Sequence, residues 1–92
     1  MSTQQIYAAV ERSLQAAFPP GGPARRHLDI GAGSGELIRR LGAGRRLESQ
    51  ACDFHVERFK VAEVPIKKVN LDAGRLPYAD AEFDFVTCSE VI

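Results

Sequence analysis

A glycine-rich turn and a distant aspartate have the residue types and the spacing of a nucleoside-binding site. Gly31, Gly33 and Gly35 lie within five residues, after an apolar segment and before a helical pattern. The first glycine permits a tight turn, the second lets a ligand approach the backbone, and the third lets the following helix pack closely. Asp53 follows Gly31 by 22 residues, close to the ~20-residue offset at which an acid bonds both hydroxyls of a ribose. The pattern therefore predicts a ligand that contains a ribose.

The residue after the third glycine bears on whether that ligand carries phosphate. Glu36 occupies the last position of the dinucleotide fingerprint G-x-G-x-x-G/A, where a small residue is needed. A carboxylate at the start of a helix disfavours the pyrophosphate that otherwise binds there. We therefore favour an adenosine compound without phosphate over NAD. Purely structural interpretations stay open, since the glycines can form a simple flexible turn and Asp53 can cap the helix that follows it.

Alternating strand and helix patterns predict the elements that position these residues. Strands are predicted over 24–30, 46–52, 65–71 and 83–88, and short helices over 36–41 and 54–63. Gly42 is expected to end the first helix in a left-handed conformation, and Val56 and Phe59 are expected to face inward from the second. The segment 72–82 is interpreted as a loop. Such alternation predicts an α/β fold with a parallel sheet and right-handed crossovers.

The chain divides into a leading segment and one main domain. Residues 3–18 place apolar side chains at helical spacing, which predicts an amphipathic helix, and the Pro/Gly-rich run 19–23 ends it. We therefore expect a leading helix and linker over 1–23 and a single domain over 24–92.

The predicted strands bring the polar candidates to one place. Gly31, Asp53, Asp72 and Cys88 each follow or end a different strand. Because the carboxyl ends of parallel strands meet at one edge of a sheet, where open α/β sheets bind their ligands, these residues are expected to lie along that edge.

Composition excludes several classes of protein. The 92 residues include 12 basic and 12 acidic side chains, so the net charge is zero, whereas a general nucleic-acid binder carries a basic excess. No apolar run approaches the roughly 18 residues of a membrane-spanning helix, and no secretory signal is visible. Cys52 and Cys88 are expected to be unbridged thiols in a reducing cytoplasm. With His27 and His55 as the only histidines, no metal site is predicted.

Three segments together resemble the class I S-adenosylmethionine-dependent methyltransferases of the small-molecule type. HLDIGAGSGELIRRL is similar to the first motif of that family, ACDFHVERF to its second-strand motif, and VNLDAGRLPYADAEFDFVTCSEVI to its third and fourth segments. The likeness covers about residues 25–92. It implies a Rossmann-like doubly wound parallel sheet that binds S-adenosyl-L-methionine across its carboxyl edge and releases S-adenosyl-L-homocysteine.

The resemblance implies that the turn after the first strand holds the amino-acid portion of the methyl donor. The backbone of Gly31, Ala32, Gly33 and Gly35 would lie under that portion. Asp29 would orient both the turn and the donor's amino group.

The resemblance also assigns the adenosine and methionine contacts beyond the turn. Asp53 would hold the ribose hydroxyls, and Phe54 would pack on the adenine. Asp72 would accept a hydrogen bond from the adenine amino group, the backbone of Ala73 would contact the ring, and Cys88 would border the methionine portion. Core packing for Phe54 and a loop-capping role for Asp72 are alternatives.

The family fold has seven strands, so 92 residues are expected to hold only its donor-binding half, ending after the fourth strand. Catalytic residues and the site for the small-molecule acceptor would then lie outside the chain, and the chain alone would transfer methyl groups negligibly. The open fourth strand, with Phe83, Phe85 and Val86, is expected to cause self-association. Two alternatives are a non-catalytic module that binds an adenosyl ligand or acts through association, and an NAD-binding oxidoreductase fragment, which Glu36 and Asp72 disfavour.

Overall fold

A computed structural model gives the fold of the chain. It describes residues 3–19, 21–43, 46–70, 72, 76–79 and 81–88. The helices are α1 (Thr3–Ala17) and α2 (Glu36–Gly42), and the strands are β1 (Arg25–Ile30), β2 (Leu47–Asp53), β3 (Ile66–Lys68) and β4 (Phe85–Cys88). A single 3-10 turn, Val56–Arg58, lies between β2 and β3.

The four strands form one parallel sheet in the order β3-β2-β1-β4. The order reverses between β3 and β4, because the chain passes from one side of β1 to the other, and such a reversal defines a doubly wound sheet. The predicted α/β class with a Rossmann-like sheet is therefore confirmed.

The two helices cover one face of the sheet. Tyr7 and Leu14 from α1 and Leu37 and Leu41 from α2 form a buried cluster, and Phe85 of β4 packs against it. Alternate residues of a strand point to opposite faces, so the other face carries Leu28, Cys52 and Val69, covered by side chains that include Tyr78 and Phe83.

Polar contacts join α1 to α2 beside this core. The guanidinium of Arg40 pairs with the Glu11 carboxylate, and its Nη1 donates to Gln4 Oε1 at 2.7 Å. Gln4 Nε2 in turn donates to Glu36 Oε1 at 3.1 Å. The leading helix is thereby attached at the start and at the last turn of α2.

The predicted helix over 54–63 is wrong, since only the 3-10 turn forms there. The cause is a tertiary contact: the N–H of Lys60 donates to the carbonyl of Ser34 at 3.0 Å, so it cannot continue a helix. Phe59 is extended, with φ −71° and ψ 129°. It still faces inward, against the cluster that contains Ile38 and Ala51.

Gly42 does not form the predicted left-handed cap. It is the last residue of α2, and Ala43 leads the chain directly into an extended conformation with φ −66° and ψ 116°. No residue with positive φ is therefore needed at this helix end.

The last two strands are shorter than predicted. β3 has three residues and is an edge strand whose lysines are exposed. β4 begins at Phe85 because the preceding Asp84 is used differently: its Oδ2 accepts the N–H of Arg26 at 2.7 Å, and its own N–H donates to the Arg26 carbonyl at 2.8 Å. Asp84 thus aligns β4 with β1.

Candidate functional site

Three of the four predicted strand-end positions lie side by side at the carboxyl edge. Ile30, which ends β1 just before Gly31, is in register with Cys52 of β2 on one side and with Cys88 of β4 on the other. Asp53 follows Cys52 directly. The glycine turn, the acid after the second strand and the cysteine of the fourth are therefore neighbours along this edge, as predicted.

Backbone hydrogen bonds hold the glycine turn over the end of β2. The N–H groups of Gly31 and Ala32 donate to the Cys52 carbonyl at 2.8 and 3.2 Å, and the N–H of Gly35 donates to the Ala32 carbonyl at 2.9 Å. The three glycines have φ values of 70°, 57° and 90°, which side chains with a Cβ rarely adopt. The turn is a fixed structure, not a flexible connection.

Gly35 is also a point of close approach. A Cβ at this position would lie 2.5 Å from Val61 Cγ2 and 2.8 Å from Phe59 Cε1, distances that packed carbon atoms do not reach. The absent side chain thus lets the segment after the 3-10 turn pack against the start of α2.

The Asp53 carboxylate closes the turn from the neighbouring strand. Its Oδ2 accepts the N–H of Gly33 at 2.8 Å, and its Oδ1 accepts the N–H of His55 at 3.1 Å. Burial raises the pKa of this carboxyl, but hydrogen bonds from the backbone of Gly33, His55 and Phe54 and the charge of Arg58 outweigh it, so the pKa is lowered overall. Asp53 is therefore an ionised acceptor at neutral pH, and its bond to His55 forms a local Asx turn just before the 3-10 turn.

Phe54 lies beside this acid with 47% of its surface exposed. The Lys68 ammonium is 5.4 Å from the centre of its ring, and the imidazole of His55 meets it edge-on at 4.9 Å. Phe54 is therefore not packed in the core, which was the alternative interpretation of this residue.

Asp29, in contrast, is completely buried beneath the turn. Its Oδ1 accepts the hydroxyl of Thr87 from β4 at 2.7 Å. The same hydroxyl lies 2.7 Å from Nε2 of His27, and Nδ1 of that histidine lies 3.0 Å from the Ser49 hydroxyl. Burial lowers the pKa of His27 to about 4.

This group of polar side chains is not evident from the sequence pattern. His27 and Asp29 alternate on one face of β1, and a polar pair on an inward face is a signal that could have been used. Thr87 could not be added without the register between β1 and β4.

A model of the methyltransferase domain family matches residues 28–92. The chain belongs to that family. The crystal structure of a candidate S-adenosyl-L-methionine-dependent methyltransferase from Methanococcus maripaludis is similar, with a TM-score of 0.69 and 21% sequence identity. The match covers 94% of this chain and 42% of that one, so the likeness concerns the fold, and the chain spans less than half the length of that protein. No curated protein sequence matches the chain significantly.

Two of the remaining predicted contacts of the methyltransferase domain, Cys88 and Asp72, are exposed. Cys88 is exposed at the end of β4. Asp72 is exposed, and its N–H donates to Asn70 Oδ1 at 3.0 Å. Ala73 lies outside the described residues. The roles that the resemblance gives to these residues stay predictions.

The two cysteines of the methyltransferase domain are free thiols, as predicted. They lie on opposite sides of Ile30, at two strand spacings of about 4.8 Å each, beyond the ~7 Å that a disulfide allows between Cα atoms. Burial raises the pKa of the Cys52 thiol. The expected cytoplasmic location stays a prediction.

The described residues contain neither a metal-binding cluster nor a membrane-spanning helix. No group of three or more His, Cys, Asp or Glu side chains there is arranged to hold a metal ion. None of the helices found in the same residues has the length and apolarity needed to cross a membrane.

Proposed function

We propose that this methyltransferase domain binds S-adenosyl-L-methionine at the carboxyl edge of its sheet and contributes to methyl transfer to a small-molecule acceptor. The observation that carries the proposal is the 2.8 Å hydrogen bond from Gly33 to Asp53. It holds an ionised acid of the right spacing against a turn that has glycine at three of its five positions. A ribose and the chain attached to it need those two surfaces side by side.

The carboxylate of Asp53 has the capacity for a ribose. The N–H groups of Gly33 and His55 donate to Oδ2 and Oδ1, and the N–H of Phe54 is a further donor that lowers the pKa of this carboxyl. An ionised carboxylate has about four acceptor sites, so at least one remains to accept a hydrogen bond from a ribose hydroxyl. Because the carboxylate is charged, such bonds are stronger than those between neutral groups.

The exposed ring of Phe54 supports an adenine contact beside this ribose position. An aromatic side chain that is 47% exposed loses more water-accessible apolar surface on stacking than a core residue would. The ring and the acid are adjacent in sequence, as base and sugar are adjacent in the ligand.

The chemistry of the bound donor requires little covalent help from the chain. When bound, the sulfonium compound supplies an electrophilic methyl group, whose bond to sulfur breaks as a bond to a nucleophilic N, O, S or C of the acceptor forms, and sulfur keeps the electron pair. The residues of this chain bind and orient the donor so that the acceptor can attack in line. The residues named here are proposed to hold the donor, and none is proposed to bind or activate the acceptor, so we expect negligible methyl transfer by the 92-residue chain alone.

Calorimetric titration with S-adenosyl-L-homocysteine and with NAD⁺ tests the proposal. We expect saturable binding of the homocysteine compound, none of NAD⁺, and a loss of affinity of at least about tenfold in Asp53→Ala, because a charge-assisted contact is removed. Glu63→Ala, which removes an exposed acid, is the matched control. Binding of NAD⁺ alone would favour an oxidoreductase fragment, and binding of neither would favour a module that acts through association.

A further inference from the structure

Four polar side chains form a continuous hydrogen-bonded row across three strands. The row runs from Ser49 on β2 through His27 on β1 to Thr87 on β4 and back to Asp29 on β1, with distances of 3.0, 2.7 and 2.7 Å. His27 and Asp29 are both 0% exposed. Buried polar groups are expensive unless they are hydrogen-bonded, so a row that crosses the apolar face under the helices needs an explanation.

The hydrogen-bonding capacities fix where the protons lie. A threonine hydroxyl has one proton, and Thr87 donates it to the Asp29 carboxylate. The hydroxyl oxygen can then only accept from His27, which places a proton on Nε2. The pKa of about 4 keeps the imidazole neutral at physiological pH, so Nδ1 carries no proton and accepts from the Ser49 hydroxyl. With Asp29 ionised, this arrangement satisfies the Thr87 hydroxyl and both ring nitrogens of His27.

Packing holds the imidazole of His27 in place. Its ring stacks on Phe85 with centroids 4.5 Å apart and planes 9° apart, and Phe85 is itself packed against Phe18 of the α1 region at 5.5 Å. A ring held on its face and at both nitrogens has a defined orientation, which it imposes on Thr87.

We propose that Thr87 and His27 are positioning residues that fix the Asp29 carboxylate at the base of the glycine turn, and that the hydrogen bond from Thr87 to Asp29 sets the tautomer of His27, which the Ser49 hydroxyl accommodates. Asp29 is two residues before Gly31, so its orientation bears on the backbone from which the donor's amino-acid portion is held. The part of the inference that concerns the donor rests on the proposed function.

Nitrogen-15 NMR of the histidine rings tests the row directly. The chain has two histidines, and exposed His55 provides the internal reference. We expect His27 to be neutral and protonated at Nε2 between pH 6 and 8, and Thr87→Val to shift its Nε2 resonance. A proton on Nδ1, or a charged ring at pH 6, would overturn the inference. Ser49→Ala provides a second variant: because Thr87 and Asp29 are unchanged, we expect the proton to stay on Nε2 and only the Nδ1 resonance to shift, and a proton that moves to Nδ1 would contradict the inference.

The affinity for S-adenosyl-L-homocysteine tests the positioning role. Thr87→Val keeps the shape of the side chain and loses the hydroxyl, whereas Thr87→Ser keeps the hydroxyl and loses a methyl group. We expect the valine variant to bind about tenfold more weakly or worse and the serine variant to stay within about twofold of the parent. The opposite order would mean that Thr87 serves packing alone and would overturn the inference.

The two proposals fail in distinguishable ways. If the parent chain does not bind S-adenosyl-L-homocysteine, the proposed function fails, and the backbone amide resonances of residues 31–35 decide the inference instead. We expect Thr87→Val to shift those resonances and Thr87→Ser to leave them near the parent positions. If Thr87→Val leaves them unchanged, Thr87 does not act on the turn, and the inference is wrong.

Discussion

Gly33 and Asp53 are joined by a 2.8 Å hydrogen bond from the backbone N–H of the glycine to Oδ2 of the acid, across 20 residues of sequence. The bond gives Asp53 a structural task in addition to any contact with a ligand, because it closes the turn after β1 from the end of β2. A change at Asp53 should therefore be visible in the stability of the free chain as well as in its affinity for a nucleoside.

Asp53→Asn tests that double role. The amide cannot accept the N–H groups of both Gly33 and His55, so we expect the free energy of unfolding at pH 7 to fall by about 1–3 kcal/mol. Because the pKa of Asp53 is lowered by folding, its contribution is present above the unfolded pKa of 3.8 and is lost as the pH falls through the folded value. The difference between parent and variant in the free energy of unfolding, measured with urea, should thus become smaller below about pH 4. The exposed Glu63→Gln is the control, and a constant difference from pH 7 to pH 3 would contradict the prediction.

Because the His27 imidazole is buried, we expect the folded chain to lose stability in mild acid. Its pKa falls from 6.5 in the unfolded chain to about 4 in the folded chain, so the unfolded chain takes up a proton first. The free energy of unfolding should therefore decrease as the pH falls from 6.5 to 4, by roughly 3 kcal/mol in total.

Replacement of each histidine separates this effect from other titrations. His27→Phe keeps a ring against Phe85 and should remove most of the pH dependence of the free energy of unfolding between pH 6.5 and 4. The variant should also be less stable by an amount independent of pH, because the Thr87 and Ser49 hydroxyls each lose one hydrogen-bond partner. His55→Phe, a change at the exposed histidine, is the control. Equal slopes in all three proteins would show that His27 does not titrate in this way.

Three glycine substitutions separate backbone strain from steric overlap. Gly35 and Gly21 have φ values of +90° and +86°. Of these two, only Gly35 would bring an added Cβ within 3 Å of other atoms. Gly42 has neither a positive φ nor a neighbouring atom within 4 Å of an added Cβ. We expect Gly21→Ala to cost about 1–2 kcal/mol from strain and Gly35→Ala to cost a further 1–3 kcal/mol, roughly, from overlap. Gly42→Ala should stabilise the chain by about 0.5–1 kcal/mol. Thermal unfolding measures the change in stability of all three variants. Similar losses of stability at positions 21 and 35 would contradict the predicted effect of steric overlap at Gly35.

We propose self-association through β4, whose outer edge pairs with no strand in the described part of the chain. The edge borders an apolar groove of about 490 Å³ between α1 and β4. Val86 is 51% exposed there, whereas Phe83 and Phe85 are half-buried against Tyr78 and Phe18. The expectation of three exposed apolar residues is therefore correct for Val86 only.

Val86→Lys is the sharper test of this association, because Phe85→Lys would also disturb the core. We expect the parent chain to sediment as a dimer or larger species at micromolar concentration and Val86→Lys to shift it towards the monomer. Phe54→Lys, which changes a similarly exposed residue away from β4, should leave the distribution unchanged. A monomeric parent would contradict the proposal.

Local patterns were sufficient to predict the sheet and the glycine turn. The turn is indicated by glycines at three positions after an apolar segment. The strand order follows from the resemblance to the family. The segment 54–63 could not be predicted in the same way, because the Lys60 N–H is captured by Ser34, a contact that helical spacing does not reveal. The row from Ser49 to Asp29 depends on the register of β1 with two later strands, which no single segment encodes.

The central place of β1 has a consequence for how the chain acquires its structure during synthesis. Both strands that pair with β1 are made after it, and Thr87 follows its partner Asp29 by 58 residues. At a synthesis rate of about 5–20 residues per second, the edge of β1 that pairs with β4 stays unpaired for about 3–12 s, until β4 has been synthesised. During that interval the backbone of β1 and the apolar residues of α2 are only partly covered. We therefore expect the yield of the chain in cells to depend on chaperones that bind exposed strands.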